Sequence, residues 1–87
     1  MFYVYVLVEP NTSKTYVGFT KDLKQRVKQH QEGKGARYTL KGNWKLAYYE
    51  AFASEQDARN REQRLKYEGR SKRQLIERIQ NSLTGRK

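Results

Sequence analysis

The chain has 87 residues, enough for one compact domain and too few for a second hydrophobic core. It has no cysteine and one histidine, which excludes disulfides, thiolate metal sites, cysteine nucleophiles and histidine-rich metal sites. The 19 basic and 9 acidic side chains give a net charge of +10, which favours a polyanionic partner over a small neutral ligand.

The positive charge is unevenly distributed, because residues 1–20 hold only one of the 19 Lys and Arg side chains. Besides nucleic acid binding, it could reflect solvated helix faces or attraction to an anionic membrane. Solvated helix faces would explain the charge of a single helix better than that of a whole domain. A membrane is disfavoured because no helix pairs a broad apolar face with a basic one. The longest apolar run, Phe2–Val8, is far shorter than the roughly 20 residues that span a bilayer. We therefore expect a cytoplasmic protein that does not bind membranes.

Two strands are predicted at the N-terminus. Phe2–Val8 is β-branched and aromatic throughout, which is typical of a strand covered on both faces. Turn-forming residues at 9–13 then lead into Thr15–Phe19, a second strand predicted to return antiparallel. By alternation, one face of the first strand carries Tyr3, Tyr5 and Leu7, and one face of the second carries Tyr16, Gly18 and Thr20.

A helix, a loop and a third strand are predicted next. Thr20 is the expected N-cap of the first helix, with Asp22 in its first turn and Gly33 at its end. Residues 33–42 mix glycine with basic and hydroxyl side chains, which indicates a loop. The third strand is predicted near Leu46–Phe52 from its β-branched and aromatic character.

Two more helices are predicted in the second half. Ser54 and Asp57 form a start that resembles a capping box, and the second helix is expected to end near Glu68, before Gly69. A third helix begins at Ser71, and its narrow apolar stripe consists of Leu75, Ile79 and Leu83. The order β-β-α-β-α-α indicates an α+β class for a single domain of residues 1–84, with a frayed tail at 85–87.

Glu62 lies in an unexpected position on the second helix. At 100° per residue, Ala58, Glu62 and Leu65 fall within roughly 60° of one another, so the carboxylate lies in the apolar stripe. It needs a salt bridge, a hydrogen bond or a metal, because a buried bare carboxylate costs several kcal/mol. A salt bridge to an arginine is the structural alternative to a catalytic role.

The first helix carries two side chains that the core does not require. His30 falls between the directions of Leu23 and Val27, and Arg26 flanks them one turn earlier. Each has an ordinary explanation, as a hydrogen-bonded core histidine and a snorkelling arginine. Together with two strand phenols and a carboxylate in a strongly basic chain, they indicate a site. Gly18 adds to this, because a strand glycine often marks the close approach of a ligand or of another backbone.

The joint spacing of these residues resembles the GIY-YIG nuclease superfamily. The paired motifs are Tyr3-Val4-Tyr5 and Tyr16-Val17-Gly18, and they are followed by Arg26, His30 and Glu62. The resemblance extends from Phe2 to about Leu75 and is strongest to short, single-domain, mostly bacterial proteins related to excision-repair and homing-endonuclease catalytic domains.

The resemblance implies a three-stranded antiparallel sheet flanked by helices and a DNA endonuclease that uses one Mg²⁺ or Mn²⁺, acting in DNA repair or processing. Glu62 would be the sole protein ligand of the metal, and Arg26 would stabilise charge on the phosphate. Tyr5 is provisionally the general base, with its phenolate favoured by the nearby metal and arginine. Tyr16 would orient water or metal, and His30 would support a tyrosine by a hydrogen bond.

Two other functions stay open. One is a catalytically weak or inactive nucleic-acid-binding module of the same fold, and the other is an accessory protein in a larger repair or ribonucleoprotein assembly. DNA is the expected partner, RNA stays open, and binding is expected to be sequence-tolerant and salt-dependent. The expected nucleic-acid contacts are Gly18 and the basic residues Lys34, Arg37, Lys41 and Lys45.

Overall fold

A computed structural model describes residues 1–86 of the chain. Within this range there are three strands, β1 (Phe2–Glu9), β2 (Lys14–Thr20) and β3 (Lys45–Phe52), and four α-helices, α1 (Leu23–Gln31), α2 (Glu55–Tyr67), α3 (Gly69–Arg78) and α4 (Gln80–Thr84). The strands form one antiparallel sheet in the order β2-β1-β3. The expected α+β class with a three-stranded antiparallel sheet is confirmed.

The central strand β1 is covered on both faces, which explains its continuous apolar and aromatic sequence. The face that we call the α2 face packs Val4, Val6 and Val17 against Ala58, Leu65, Leu75 and Ile79 of the later helices. The opposite face, the α1 face, packs Tyr5 and Leu7 with Trp44, Leu23 and Val27. Each fully buried aliphatic side chain contributes about 1.5–3 kcal/mol to this two-sided core.

The start of α1 differs from the prediction by two residues. The N-cap is Asp22, whose carboxylate accepts a hydrogen bond of 3.1 Å from the backbone N–H of Gln25. Thr20 instead bonds to the backbone of Asp22, so its hydroxyl supports the cap without being it. Gly33 ends the helix with a φ of 75°, as its left-handed preference predicts.

The later helices follow the prediction at one end and depart from it at the other. Ser54 caps α2 by accepting from the backbone N–H of Asp57, as expected. Gly69 does not end α2 with a positive φ; it is the first residue of α3, two residues before the predicted start at Ser71. The predicted third helix is divided at Ile79 into α3 and α4.

The C-terminal end of the described chain is exposed at Gly85 and Arg86, while Lys87, the last residue of the predicted tail, lies outside the described residues. None of the helices in the described range has the length and hydropathy needed to cross a bilayer.

An ion pair fastens β3 to α2. The Arg61 guanidinium donates to both carboxylate oxygens of Glu50, at 2.9 and 3.1 Å, and the Tyr48 hydroxyl donates to the same carboxylate at 2.6 Å. Both charged side chains are mostly buried, at 28% and 21% exposure. This bidentate pair sets the position of α2, and therefore of Glu62, against the sheet.

A buried carboxylate holds the long loop that follows α1. Glu9, at the end of β1, is 5% exposed and accepts backbone N–H groups from Asn11, Thr12 and Asn43. The hydrogen bond from Asn43 is the main reason that the pKa of Glu9 lies below its usual value. The loop is thus tied to the sheet through an ionised carboxylate.

Candidate active site

The register of β1 and β2 brings the two predicted phenols together on the α1 face. Tyr5 lies opposite Gly18, Leu7 lies opposite Tyr16, and the two tyrosine rings are 6.3 Å apart between centroids. A Cβ at Gly18 would lie 2.3 Å from the Tyr5 ring, so the glycine makes room for that ring. The Tyr5 ring therefore explains Gly18, and contact of Gly18 with nucleic acid stays a prediction.

Helix α1 adds His30 and Arg26 to the same region. His30 is 1% exposed, its Nε2 is 2.8 Å from the Tyr5 hydroxyl, and its ring lies 5.1 Å from the Tyr16 ring. The half-buried Arg26 donates to Gln29 at 3.1 Å, and its charge reaches both Tyr5 and His30. The interpretation of His30 as support for a tyrosine matches this contact.

Burial governs the protonation of this pair. It raises the pKa of Tyr5 to about 12; Arg26 acts in the opposite direction without offsetting burial, and the charges of Tyr16 and Glu62 add to the rise. Burial also lowers the pKa of His30 to about 4, helped by the positive charge of Arg26. Both groups are therefore neutral at pH 7. Arg26 thus favours the Tyr5 phenolate, as expected of a nearby arginine, but desolvation is the larger effect in the protein alone, and the contribution of the metal stays a prediction.

Helix α2 places Glu62 at the edge of the site. Ala58 and Leu65 are buried in the core as the helical wheel predicts, whereas the Glu62 side chain keeps 17% exposure. Its Oε2 lies 3.2 Å from the ammonium nitrogen of Lys66, which itself lies 5.7 Å from the centre of the Tyr16 ring. The structural alternative named an arginine as partner; the ion-pair partner is this lysine.

The loop after α1 contributes residues that sequence reasoning missed. A short 3-10 turn at Arg37–Thr39 stacks the Tyr38 ring on Tyr16, at 6.1 Å between centroids. The Thr39 hydroxyl lies 2.6 Å from Nδ1 of His30, and both residues are 1% exposed. The only sequence signal was a hydroxyl residue in a glycine-rich basic segment, which does not specify a partner.

The predicted nucleic-acid contacts of this loop are on the surface. The side chains of Lys34, Arg37, Lys41 and Lys45 are all exposed. Arg37 is the first residue of the turn that carries Tyr38, Lys34 and Lys41 lie on either side of that turn, and Lys45 is the first residue of β3. This arrangement is compatible with contact to a phosphate backbone, and the contacts themselves stay predictions.

Residues 1–75 match the family of the GIY-YIG catalytic domain. The chain belongs to the GIY-YIG family. The resemblance expected from the Tyr, Gly, Arg, His and Glu spacing is confirmed, and membership implies a nuclease domain with a nucleic-acid substrate. The segments that resemble the two motifs, Tyr3–Tyr5 and Tyr16–Gly18, lie in β1 and β2, and Tyr5 and Tyr16 meet on the α1 face.

The chain is similar to several small proteins over most of its length. It is 40% identical over 76 residues to a UPF0213 protein of Lacticaseibacillus paracasei, covering 86% of this chain and 84% of the relative. It is 42% identical over 67 residues to a UPF0213 protein of Clostridium perfringens, covering 76% of this chain and 71% of the relative. A solution NMR structure of a UPF0213 protein from Bacillus halodurans has a TM-score of 0.55 and 39% identity, covering 88% of this chain and 84% of that chain.

The donor atoms of the site fit one particular kind of metal binding. In the part of the chain that the structure describes, no three His, Asp or Glu side chains converge as they do in a metal site built by protein alone. Glu62 offers a single carboxylate with one ion-pair partner. Magnesium is commonly held by one or two carboxylates, with waters and phosphate oxygens completing its octahedron. The GIY-YIG site therefore fits an ion that binds together with its substrate.

Proposed function

We propose that this GIY-YIG domain is a divalent-metal-dependent endonuclease that hydrolyses DNA phosphodiesters, selects its substrate by structure more than by sequence, and acts in DNA repair or processing in the cytoplasm. The observation that carries the proposal is the convergence of five side chains on the α1 face and its edge: Tyr5, Tyr16, Arg26, His30 and Glu62. A domain that only bound DNA would not need a carboxylate beside a phosphate.

The proposed roles follow from exposure and charge. Glu62 would hold Mg²⁺ or Mn²⁺, and the bound ion would supply positive charge to the phosphate and to an attacking water. Arg26 would neutralise charge that develops on the phosphate oxygens. Tyr16 is partly exposed and lies between His30 and Lys66, so it can contact substrate and orient the water.

Tyr5 is the phenol with a proton acceptor already in place, because its oxygen is 2.8 Å from Nε2 of His30. A phenol that is neutral at pH 7 can act as a base only after it has lost its own proton. His30 is positioned to take that proton while the Tyr5 oxygen takes one from the attacking water, which supports the assignment of Tyr5 as the general base and gives His30 a share in the reaction.

The experiment is a cleavage assay on duplex, single-stranded, flapped and branched DNA with Mg²⁺, Mn²⁺ or a chelator. Glu62→Gln should lower metal-dependent cleavage by about 100-fold or more with the fold intact, because the amide keeps the shape and loses the charge. Glu55→Gln is the matched control, since Glu55 is an ion-paired carboxylate at the start of the same helix and should cut at the wild-type rate. A folded Glu62→Gln protein with wild-type cleavage would eliminate the metal-ligand assignment.

A second candidate function is DNA binding without turnover. It is favoured by one observation, the Lys66 ammonium that neutralises Glu62 in the protein alone. Binding should weaken steeply with salt, with a slope in log affinity of about −0.9 per phosphate contact on duplex DNA. Salt-dependent affinity with no cleavage of any of the four DNA forms, in either metal, would select this function over the nuclease.

A further inference from the structure

The imidazole of His30 has a hydrogen-bond partner at each nitrogen. Nε2 faces the Tyr5 hydroxyl at 2.8 Å, and Nδ1 faces the Thr39 hydroxyl at 2.6 Å. The Thr39 hydroxyl also donates to the backbone carbonyl of Ala36 at 3.0 Å. All three side chains are buried, at 1% exposure each, so their hydrogen bonds are shielded from bulk water.

The donor and the acceptor in each of these three hydrogen bonds follow from the one between Thr39 and Ala36. A carbonyl oxygen can only accept, and the Ala36 carbonyl lies 3.0 Å from the Thr39 hydroxyl in addition to accepting the Thr39 backbone N–H at 2.9 Å, so we assign the single hydroxyl proton of Thr39 to Ala36. Thr39 must then accept from His30, which places the proton of the neutral imidazole on Nδ1. Nε2 is left with a lone pair, and the Tyr5 hydroxyl donates to it. Each residue in this series of hydrogen bonds therefore donates to the next: Tyr5 to His30, His30 to Thr39, and Thr39 to Ala36.

We propose that Thr39 is a positioning residue that fixes the tautomer of His30 and thereby makes Tyr5 the phenol that can pass its proton to the imidazole. This inference rests on the proposed nuclease function for its catalytic consequence. In the proton transfer, the O–H bond of Tyr5 breaks and an N–H bond forms at Nε2, giving a phenolate and an imidazolium. Because both groups are neutral in the protein alone, this transfer is coupled to the reaction, in which the Tyr5 oxygen takes the proton that the attacking water loses. The Nδ1–H···Thr39 hydrogen bond persists and stabilises the imidazolium. The opposite tautomer would donate to Tyr5 and could not accept its proton.

The surrounding loop is shaped to hold this contact. A Cβ at Gly35 would lie 2.3 Å from Nδ1 of His30, so only glycine lets the loop backbone pass this close to the ring. Thr39 itself sits in the 3-10 turn, and the far end of the loop is held by the hydrogen bond from Asn43 to Glu9. The segment 33–42, which was predicted only as a basic loop, therefore also packs against the His30 ring and orients it.

The first test uses the fact that the chain has one histidine, so a tag-free protein labelled with ¹⁵N gives a single set of ring signals. Long-range ¹H–¹⁵N spectra at pH 7 should show the proton on Nδ1 in the wild type and in Thr39→Ser, which keeps the hydroxyl. Thr39→Val should shift the population towards the Nε2–H tautomer. A wild-type spectrum with the proton on Nε2 would overturn the proposal without any variant or cleavage assay.

The second test measures cleavage on the DNA form that the wild type cuts best. Thr39→Val should lower kcat by about tenfold to a hundredfold with little change in KM, and Thr39→Ser should restore most of it. Assays are run below the onset of melting of every variant, so that unfolding does not contribute. A Thr39→Val protein with a changed tautomer and an unchanged kcat would refute the catalytic half of the proposal. If the wild type cuts nothing, the nuclease function fails and the spectra still decide the tautomer.

Discussion

Arg61 and Glu62 are neighbours on α2 and belong to two clusters that contain the same types of side chain but differ in burial and hydrogen bonding. The Glu50 cluster consists of Glu50, Arg61 and Tyr48, and the Glu62 cluster consists of Glu62, Lys66 and Tyr16. Each contains one carboxylate, one cation and one tyrosine. Because Arg61 and Glu62 are adjacent on one helix, the difference between the clusters arises from the partners that the sheet presents to each.

The Glu50 carboxylate is saturated by short hydrogen bonds from a bidentate guanidinium and a hydroxyl. Burial raises the pKa of Glu50, but the hydrogen bonds from Arg61 and Tyr48 outweigh burial and hold it below the usual value of 4.5. Among the described residues, the carboxylate of Glu62 has one ion-pair partner, the Lys66 ammonium at 3.2 Å, and the Lys66 side chain is 33% exposed. A saturated carboxylate serves the fold, whereas one with a single exchangeable partner can accept a metal.

Matched substitutions should separate the clusters most strongly in stability. Glu50→Gln should lower the free energy of unfolding by about 1–3 kcal/mol, because it leaves the mostly buried Arg61 without its charged partner. Glu62→Gln should cost less than about 1 kcal/mol, since Lys66 can turn to solvent. Urea denaturation measures both, and equal losses in the two variants would contradict the distinction.

Acid should selectively remove the contribution of the Glu50 cluster to the free energy of unfolding. The pKa of Glu50 is lower in the folded protein than the usual 4.5, so its stabilisation is fully present above that pH and is lost as the pH falls through the folded pKa. The stability difference between wild type and Glu50→Gln should therefore be constant near neutrality and shrink below about pH 4.5. Denaturation curves from pH 7 to pH 3 check this, and a gap that persists at pH 3 would argue against it.

The smallest expected effect concerns Lys66. If its ammonium competes with the metal for Glu62, Lys66→Met should lower the Mg²⁺ concentration for half-maximal cleavage by roughly twofold to tenfold, with less than about 0.5 kcal/mol change in stability. Arg64→Met is the matched control, because Arg64 forms an exposed pair with Glu68 on the same helix at 4.0 Å. The same Mg²⁺ shift in both variants would show a general charge effect and no competition at Glu62.

The sequence by itself determined the order of the strands and the first helices and the face on which the site side chains lie. Strand alternation placed Tyr5 and Tyr16 on one face, and the antiparallel register confirmed it. Helical periodicity set His30 towards the sheet and Glu62 in the apolar stripe of α2, and both side chains are mostly buried. These features depend on repeats of two and 3.6 residues, which are local and can be counted along the chain.

Only the tertiary structure decided which groups meet. Local patterns suggested that Gly69 would end α2, but it begins α3. The structural alternative for Glu62 was a salt bridge to an arginine, but Glu62 pairs with Lys66, and Arg61 pairs with Glu50 of β3. The contact of His30 with Thr39 and the raised pKa of Tyr5 likewise arise from packing between elements. Periodicity gives the direction of a side chain but not the distance to its partner, and hydrogen bonds and desolvation depend on that distance.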